Sequence, residues 1–213
     1  MHTLEVRKLT KQIKHTTVLN DISFSLKGGT IYGFIGDNGS GKTMLFRAVS
    51  GLIRISGGSI CYDGKTERSS DIGITIENNS LFPDLSGYDN LRMLAGIRKI
   101  IGREEIRDIL LRVGLNPDDK KIVKKYSLGM KQRLVLAQAI MEKPAYLLLD
   151  EPTNGIDKDG VSLIKNIIAE EKKRGAVIML ASHIESDMKS LCDEKFYMDS
   201  GRIYRHETGV KTC

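Results

Sequence analysis

A glycine-rich loop between an apolar strand and a helix constrains this chain more than any other feature. The loop reads Gly36-Asp37-Asn38-Gly39-Ser40-Gly41-Lys42-Thr43 and fits the phosphate-loop pattern G-x-x-x-x-G-K-[ST]. Residues 30–35 before it are apolar and predict a short buried strand, and residues 44–49 after it carry apolar positions at helical spacing. Strand, loop and helix in this order predict an α/β fold with an anion-binding turn.

The chemistry of the loop suits a nucleotide phosphate. Glycines let backbone N–H groups approach phosphate oxygens without a Cβ in the way, and the helix start adds unpaired donors. Lys42 supplies a positive charge for the β- and γ-phosphates, and the Thr43 hydroxyl can ligate Mg²⁺. A glycine-rich turn that binds nothing is the alternative, and the correct flanks on both sides disfavour it.

Composition sets broad bounds on the rest of the chain. The 213 residues favour one domain, and 40% hydrophobic with 28% charged residues is ordinary for a soluble globular protein. The net charge of +6 is spread along the chain, so it suits an anionic ligand, an acidic membrane face, or a merely solvated surface. No signal-peptide architecture begins the sequence, and no apolar run approaches the length of a membrane span.

The cysteines predict the redox setting. Cys61, Cys192 and Cys213 stand far apart, no C-x-x-C pair exists, and one cysteine would be left over from any disulfide. This pattern favours a reducing compartment and argues against a zinc site.

Two kinds of strand are predicted. Those at 30–35, 146–149 and 176–182 are apolar throughout, as parallel strands covered on both faces are. Apolar and polar residues alternate before position 27, which predicts a pair of strands joined by a polar turn at Lys11–Thr17. We expect these two strands to form a mostly antiparallel sheet beside the loop, together with the strands predicted at Ser59–Tyr62 and Asp71–Ile76.

Helices dominate the middle of the chain. Ser86 resembles the first residue of a capping box for a helix through Leu94, and helices are predicted at Glu104–Val113 and Lys131–Met141. Asp157 is predicted to cap a long helix that ends at Gly175. The helical block, about 78–142, therefore reads as an insertion into a single α/β domain made of about 1–77 and 143–213.

Two carboxylates follow the apolar strand at 146–149. In phosphate-loop enzymes an aspartate at this place holds Mg²⁺, and Asp150 is the candidate. Glu151 lies one residue on, where open α/β sheets bind ligands, and could accept a proton from the water that attacks the γ-phosphate. The alternative is that both acids begin a solvated loop, which the upstream phosphate loop disfavours.

Three further motifs complete a resemblance to the nucleotide-binding subunit of ABC transporters. Tyr126-Ser127-Leu128-Gly129-Met130 resembles the family signature, usually Leu-Ser-Gly-Gly-Gln; Pro152–Asp157 resembles the loop that lines the subunit interface; and Ala181-Ser182-His183 resembles the switch-histidine motif. The resemblance covers nearly all of the chain, with the motifs in family order. It implies a P-loop NTPase of ABC ATPase type, in which a RecA-like core carries an antiparallel β subdomain and an inserted α-helical subdomain.

The resemblance also implies a function and partners. ATP would be hydrolysed to ADP and phosphate at the cytoplasmic face of the membrane, where the peripheral subunit powers an integral membrane permease. Two copies of the chain would sandwich two ATP molecules head to tail, the Ser127 helix tip of one copy capping the γ-phosphate held by the other. No nucleic-acid partner is expected.

Site residues are implied residue by residue. Glu151 would be the general base, and His183 would sense the γ-phosphate. Mg²⁺ would be held by Thr43, Asp150 and Glu77. The ATP contacts would come from Gly36, Asp37, Asn38, Gly39, Ser40, Gly41, Lys42 and Thr43, with Ile13, Ser127, Gly129 and Asp157.

Several positions depart from the commonest family pattern. Glu77 stands where the family usually has glutamine, and an ionised carboxylate only accepts hydrogen bonds. Leu128 and Met130 replace a glycine and the glutamine of the signature. Together with the segment Leu81–Gly87, these residues resemble bacterial exporters of the bacitracin-resistance and lantibiotic-immunity type, in which small ATPase subunits pair with separate membrane subunits.

Two other functions stay open at this point. A soluble ABC-type ATPase could act on ribosomes or DNA, but such relatives usually carry two cassettes in one chain or long coiled coils, and neither is present in this sequence. A slow nucleotide switch is the other alternative, given Glu77, and phosphate release from the purified chain separates it from an active enzyme.

Weak discrimination between nucleotide bases is the first prediction. Ile13 stands where many family members stack an aromatic ring on adenine, and such stacking contributes about 1–3 kcal/mol per base. We therefore expect ATP and GTP to bind with affinities within about tenfold of each other. Competition of both nucleotides against one labelled nucleotide measures the ratio, and a strong preference for ATP would contradict the prediction.

Overall fold

The computed structural model describes residues 1–67, 69–76, 81–183 and 185–209. Two sheets form the scaffold. The smaller one contains β1 (Thr3–Ile13), β2 (Thr16–Lys27) and β4 (Gly57–Tyr62), which pair antiparallel in the order β2-β1-β4. Its buried side chains come from alternate strand positions, as the sequence pattern predicts.

The hairpin turn between β1 and β2 is shorter than predicted. The polar turn expected at Lys11–Thr17 is wrong in extent, because the ladder continues through Gln12 opposite Thr17 and Ile13 opposite Thr16. Only Lys14 and His15 form the turn, with Lys14 in the left-handed region at φ 53°. Backbone hydrogen bonds extend this hairpin past its last buried residue. The alternation of apolar residues in the sequence cannot predict this extension, because its side chains are exposed.

The larger sheet has the strand order β5-β6-β7-β3-β8-β9 and is parallel apart from the terminal hairpin of β8 with β9. The three strands at its centre, β6, β7 and β3, are buried nearly throughout, as predicted. The bounds of the strands are β3 Thr30–Ile35, β5 Ile72–Thr75, β6 Tyr146–Asp150, β7 Val177–Ser182, β8 Glu194–Asp199 and β9 Arg202–Thr208.

Two of the helices begin where Ser86 and Asp157 predict, whereas the helix predicted from Lys131 begins at Leu128, because Ser127 caps it. Side chains of Ser86, Ser127 and Asp157 accept hydrogen bonds from backbone N–H groups three residues on, at 3.1, 3.2 and 3.1 Å. The second helix runs beyond the predicted end at Leu94. The helices are α1 Lys42–Val49, α2 Gly87–Arg98, α3 Arg103–Arg112, α4 Leu128–Ile140, α5 Lys158–Arg174 and α6 Glu185–Leu191, with a 3₁₀ turn at Val123–Lys125.

Strand β5 corrects the predicted sheet arrangement. The sequence places it with the antiparallel sheet, but it pairs in parallel with β6, Ile72 lying opposite Tyr146. Helix α4 covers it so closely that a Cβ on Gly73 would overlap the carbonyl oxygen of Ala139. The glycine lets the backbone of α4 approach the strand closely, as in a sheet that helices cover. A short apolar run in the sequence predicts a strand but not whether that strand pairs in parallel or antiparallel.

The core lies on both faces of the parallel sheet. Leu147 and Leu149 of β6 pack into a cluster with α3, α4 and α5, whereas Leu148 faces the opposite cluster with α1 and the antiparallel sheet. Helix α1 buries Leu45, Phe46, Ala48 and Val49 in that second cluster. This packing fixes the start of α1 at the carboxyl edge of the sheet.

A buried carboxylate joins α3 to α5. The side chain of Glu171 is 2% exposed and accepts hydrogen bonds from Arg112 at 2.8 Å and Arg174 at 2.7 Å. Arg112 also reaches Glu170 at 2.7 Å. Burial alone would lower the pKa of Arg112, but the hydrogen bonds to the two glutamates outweigh it and the net shift is upward.

We predict that Arg112→Met destabilises the chain. It removes one of the two cations beside buried Glu171, and we expect the free energy of unfolding to fall by about 2 kcal/mol. Urea unfolding at constant pH measures the change. The matched control is Arg107→Met on the same helix, whose partner Asp118 is well exposed, and it should change stability much less. Equal effects of the two substitutions would contradict the prediction.

Candidate phosphate-binding site

The glycine-rich loop connects the end of β3 to the start of α1. Gly39 and Gly41 have φ values of 86° and 104°, a region that glycine adopts without strain. A Cβ on Gly36 would overlap the carbonyl oxygen of Met198, so the loop also needs a glycine for close approach. No side chain caps α1, which leaves the backbone donors of its first turn for a ligand.

Lys42 lies inside the loop. Its side chain is buried, and its Nζ donates to the carbonyl oxygens of Gly36 at 2.6 Å and Asp37 at 3.0 Å. The loop therefore curls around the ammonium group. The buried Ser40 hydroxyl lies beside Gly36 and has no hydrogen-bond partner within the described part of the chain.

Thr43 and Asp150 meet where α1 approaches the end of β6. The Thr43 hydroxyl donates to Asp150 Oδ2 at 2.6 Å. The backbone N–H of Asp150 in turn donates to the hydroxyl of Thr75 on the neighbouring strand at 3.1 Å. A hydroxyl and a carboxylate are thus held together, and both are oxygen ligands that Mg²⁺ accepts.

Glu151 and His183 form a second polar pair at the same edge of the sheet. Glu151 Oε1 accepts a hydrogen bond from the His183 backbone N–H at 3.0 Å and lies 2.8 Å from His183 Nδ1. Among the described residues, nothing hydrogen-bonds to the buried Glu151 Oε2. Glu151 also has φ 48°, which is strained for a residue with a side chain.

These groups line one pocket of about 560 Å³. Of the predicted site residues, the pocket brings together Asn38, Gly39, Gly41, Lys42, Thr43, Asp150, Glu151 and His183. Sequence reasoning missed Thr16, Thr17, Val18, Met44, Asn154, Ser200 and Gly201, which also line it. The dipeptide Ser200-Gly201 between two strand-like segments predicts a hairpin turn. Only the fold shows that the Gly201 N–H also supports the loop, by donating to Ser40 O at 3.0 Å.

Other predicted residues lie outside this pocket lining. Ile13 is 45% exposed on β1, although its ladder partner Thr16 does line the pocket. Ser127 and Asp157 cap α4 and α5, and Gly129 lies in the first turn of α4. Glu77, predicted on the Mg²⁺ side, lies outside the described residues.

A family model supplies the deciding comparison. The family model described as ABC transporter matches residues 19–154, which include the phosphate loop, the signature segment, Asp150 and Glu151. The chain belongs to the ABC transporter family. It is an ATP-binding subunit of an ABC transporter, an ATPase that works with membrane subunits, as the sequence predicts.

Curated ABC proteins are similar over nearly the whole chain. The uncharacterized ABC transporter ATP-binding protein YybJ of Bacillus subtilis (strain 168) is 49% identical over 209 residues, which cover 96% of each protein. The lantibiotic transport ATP-binding protein SrtF of Streptococcus pyogenes is 36% identical, covering 94% of this chain and 88% of SrtF. The bacitracin transport ATP-binding protein BcrA of Enterococcus faecalis is 35% identical, and the match covers 95% of this chain and 68% of BcrA. The predicted similarity to this branch is confirmed.

A solved structure confirms the ABC ATPase fold. The cbiO1 protein of Clostridium perfringens, part of the ABC transporter complex cbiONQ, superposes with a TM-score of 0.81 at 30% identity. The match covers 96% of this chain and 88% of cbiO1. Within the ranges that the structure describes, no helix has both the length and the apolar character needed to span a bilayer.

Proposed function

We propose that this ABC subunit hydrolyses MgATP in the pocket between its phosphate loop and Glu151, and so drives a permease that exports a peptide antibiotic or a related compound. The observation that carries the proposal is the arrangement of Lys42, Thr43, Glu151 and His183 around one pocket. Triphosphate binding and a proton acceptor are thereby combined at one place.

The loop would hold the triphosphate. Lys42 already has its ammonium group within the loop, and the first-turn N–H groups of α1 are not capped by a side chain. A bound β- or γ-phosphate would give the Lys42 ammonium an ionised acceptor in place of the neutral carbonyl oxygens of Gly36 and Asp37. Burial of Lys42 strengthens that attraction, because less water screens it.

Mg²⁺ would be held by Thr43 and Asp150. Their oxygens already touch each other, and both are hard ligands of the kind that Mg²⁺ binds. A bound Mg²⁺ would supply charge neutralisation to the phosphates. Glu77, assigned to the same ion by resemblance, remains a prediction.

Glu151 would act as the general base. Its Oε1 is engaged by His183, which leaves the buried Oε2 to accept a proton from an attacking water. His183 fixes the direction of the carboxylate and is itself about half exposed at the pocket, where it would contact the γ-phosphate.

A second copy of the chain would complete the site. The start of α4 is exposed around Leu128, and the Ser127 hydroxyl engages only Met130 N–H among the donors of the first turn. Those remaining donors would cap the γ-phosphate held by the other copy, with Asp157 near the same interface. The arrangement is isologous, so each copy gives one loop and one helix tip.

The relatives support a proposal for the cargo and the location. The names of SrtF and BcrA describe lantibiotic and bacitracin transport, which supports a peptide antibiotic or similar compound as the cargo here. Because ATP is supplied from the cytoplasm, we propose that the subunit lies at the cytoplasmic face of the membrane, bound to the permease. The comparisons give no support to a module acting on ribosomes or DNA.

We predict that Glu151→Gln removes turnover and keeps nucleotide binding. The amide has the size of the carboxylate but cannot accept the proton, so phosphate release should fall at least about a hundredfold. Phosphate release and fluorescent nucleotide binding measure the two effects. Glu170→Gln, on the exposed side of α5, is the control and should leave both unchanged. Wild-type turnover in Glu151→Gln would contradict the assignment of the base.

We predict that Phe82→Ala weakens attachment to the permease. Phe82 is 41% exposed, and its backbone is held from both sides by the fully buried Asn90, at 2.8 and 3.1 Å. An exposed aromatic ring on a rigidly held backbone is well suited to contact a helix of the membrane subunit.

The test compares the amount of the chain retained on washed membranes of cells that carry the permease. Phe82→Ala should lower retention severalfold with unchanged ATP binding by the purified chain, whereas the exposed Leu52→Ala control should change neither. Loss of ATP binding with full membrane retention would refute this assignment.

A further inference from the structure

Helix α4 reaches the acidic edge of the parallel sheet through one side chain. Gln132 Nε2 donates a hydrogen bond to the backbone carbonyl oxygen of Glu151 at 3.1 Å. Gln132 lies in the second turn of α4, five residues after the N-cap Ser127. The helix that begins at the signature is therefore bonded directly to the residue proposed as the base.

The backbone of Glu151 needs such support. Its φ of 48° lies in the left-handed region, which is unfavourable for a residue with a Cβ. The Glu151 N–H donates to Ala181 O at 2.9 Å, and the Glu151 carbonyl accepts from Asn154 N–H at 3.2 Å as well as from Gln132. Gln132 is the only one of these donors in α4, within the described residues.

A second contact joins α4 to the same loop. Gly155 has φ 71°, and a Cβ on it would overlap Leu128 Cδ2, so the first turn of α4 packs directly on the loop after Glu151. Leu128 is the residue that replaces a glycine in the usual signature. The start of α4 and the Glu151–Gly155 loop are therefore in direct contact at a second point.

We propose that Gln132 is a positioning residue for Glu151. Its side-chain amide fixes the strained Glu151 backbone relative to helix α4, and this sets the direction of the Glu151 carboxylate. This inference rests on the proposed function, because it takes Glu151 as the base. Gln132 does not line the nucleotide pocket, so its effect falls on the chemical step and not on nucleotide affinity.

The test uses the purified full-length chain and three substitutions of Gln132. Gln132→Glu keeps the size and removes the donor, Gln132→Ala removes the side chain, and Gln132→Lys restores a donor of similar reach. We expect kcat for ATP hydrolysis to fall roughly tenfold or more in the Glu and Ala variants, with KM within about twofold of wild type. Gln132→Lys should have a kcat at least severalfold higher than the Glu and Ala variants.

Gln138→Ala is the matched control, because Gln138 lies on the same helix and lines a separate pocket beside β5, which shares no lining residue with the nucleotide pocket. It should leave kcat and KM unchanged. If Gln132→Ala does not fold, the Glu and Lys variants decide the question. The proposal is overturned if Gln132→Glu keeps more than half of the wild-type kcat, if KM rises as much as kcat falls, or if Gln138→Ala has the same effect.

A double substitution separates this inference from the assignment of the base. In a Glu151→Gln background, Gln132→Glu should cause no further loss in single-turnover hydrolysis, because the carboxylate that it positions is gone. A further tenfold loss would show that Gln132 acts elsewhere and would overturn the inference. Wild-type hydrolysis in Glu151→Gln alone would instead remove the proposed function, so the two failures are distinguishable.

Discussion

Parallel pairing of β6, β7 and β3 is the constraint on which the site depends. Asp150 lies opposite Ala181, and Ile35 lies opposite Ser182, so the three strands end at the same level. Asp150 ends β6, and the segments that follow the three strands carry the phosphate loop, Glu151 and His183. A register shift in any one pair would move its side chains by one residue and turn them to the other face of the sheet.

The site is then held by hydrogen bonds between these three ends. Thr43 bonds to Asp150, and Glu151 bonds to His183 and to the Ala181 carbonyl. Glu151 alone among these residues has an unfavourable backbone angle, at φ 48°, which costs about 1–3 kcal/mol, so the buried sheet must stabilise it.

Much of this arrangement could be predicted from the sequence. The phosphate loop, the helix caps at Ser86 and Asp157, and the apolar central strands each depend on local residue patterns, and the structure places them where those patterns predict. Local rules also predicted the turn at Ser200-Gly201.

What escaped prediction depends on contacts between distant segments. The membership of β5 in the parallel sheet is set by its pairing with β6 and the cover of α4. The contact of Gln132 with Glu151 joins residues 19 positions apart through a polar side chain, for which no sequence pattern exists. The pocket lining by Thr16 and Gly201 likewise follows only from the packing of the two sheets.

The central claim is that one triphosphate is bound between the glycine loop of one copy and the signature helix of another. Native mass measurement of the Glu151→Gln chain at saturating MgATP tests it most directly, because this variant binds nucleotide and should not consume it. We expect a species of two chains with two ATP molecules, which disappears when ADP replaces ATP. A chain that stays monomeric and free of nucleotide under these conditions would contradict the account.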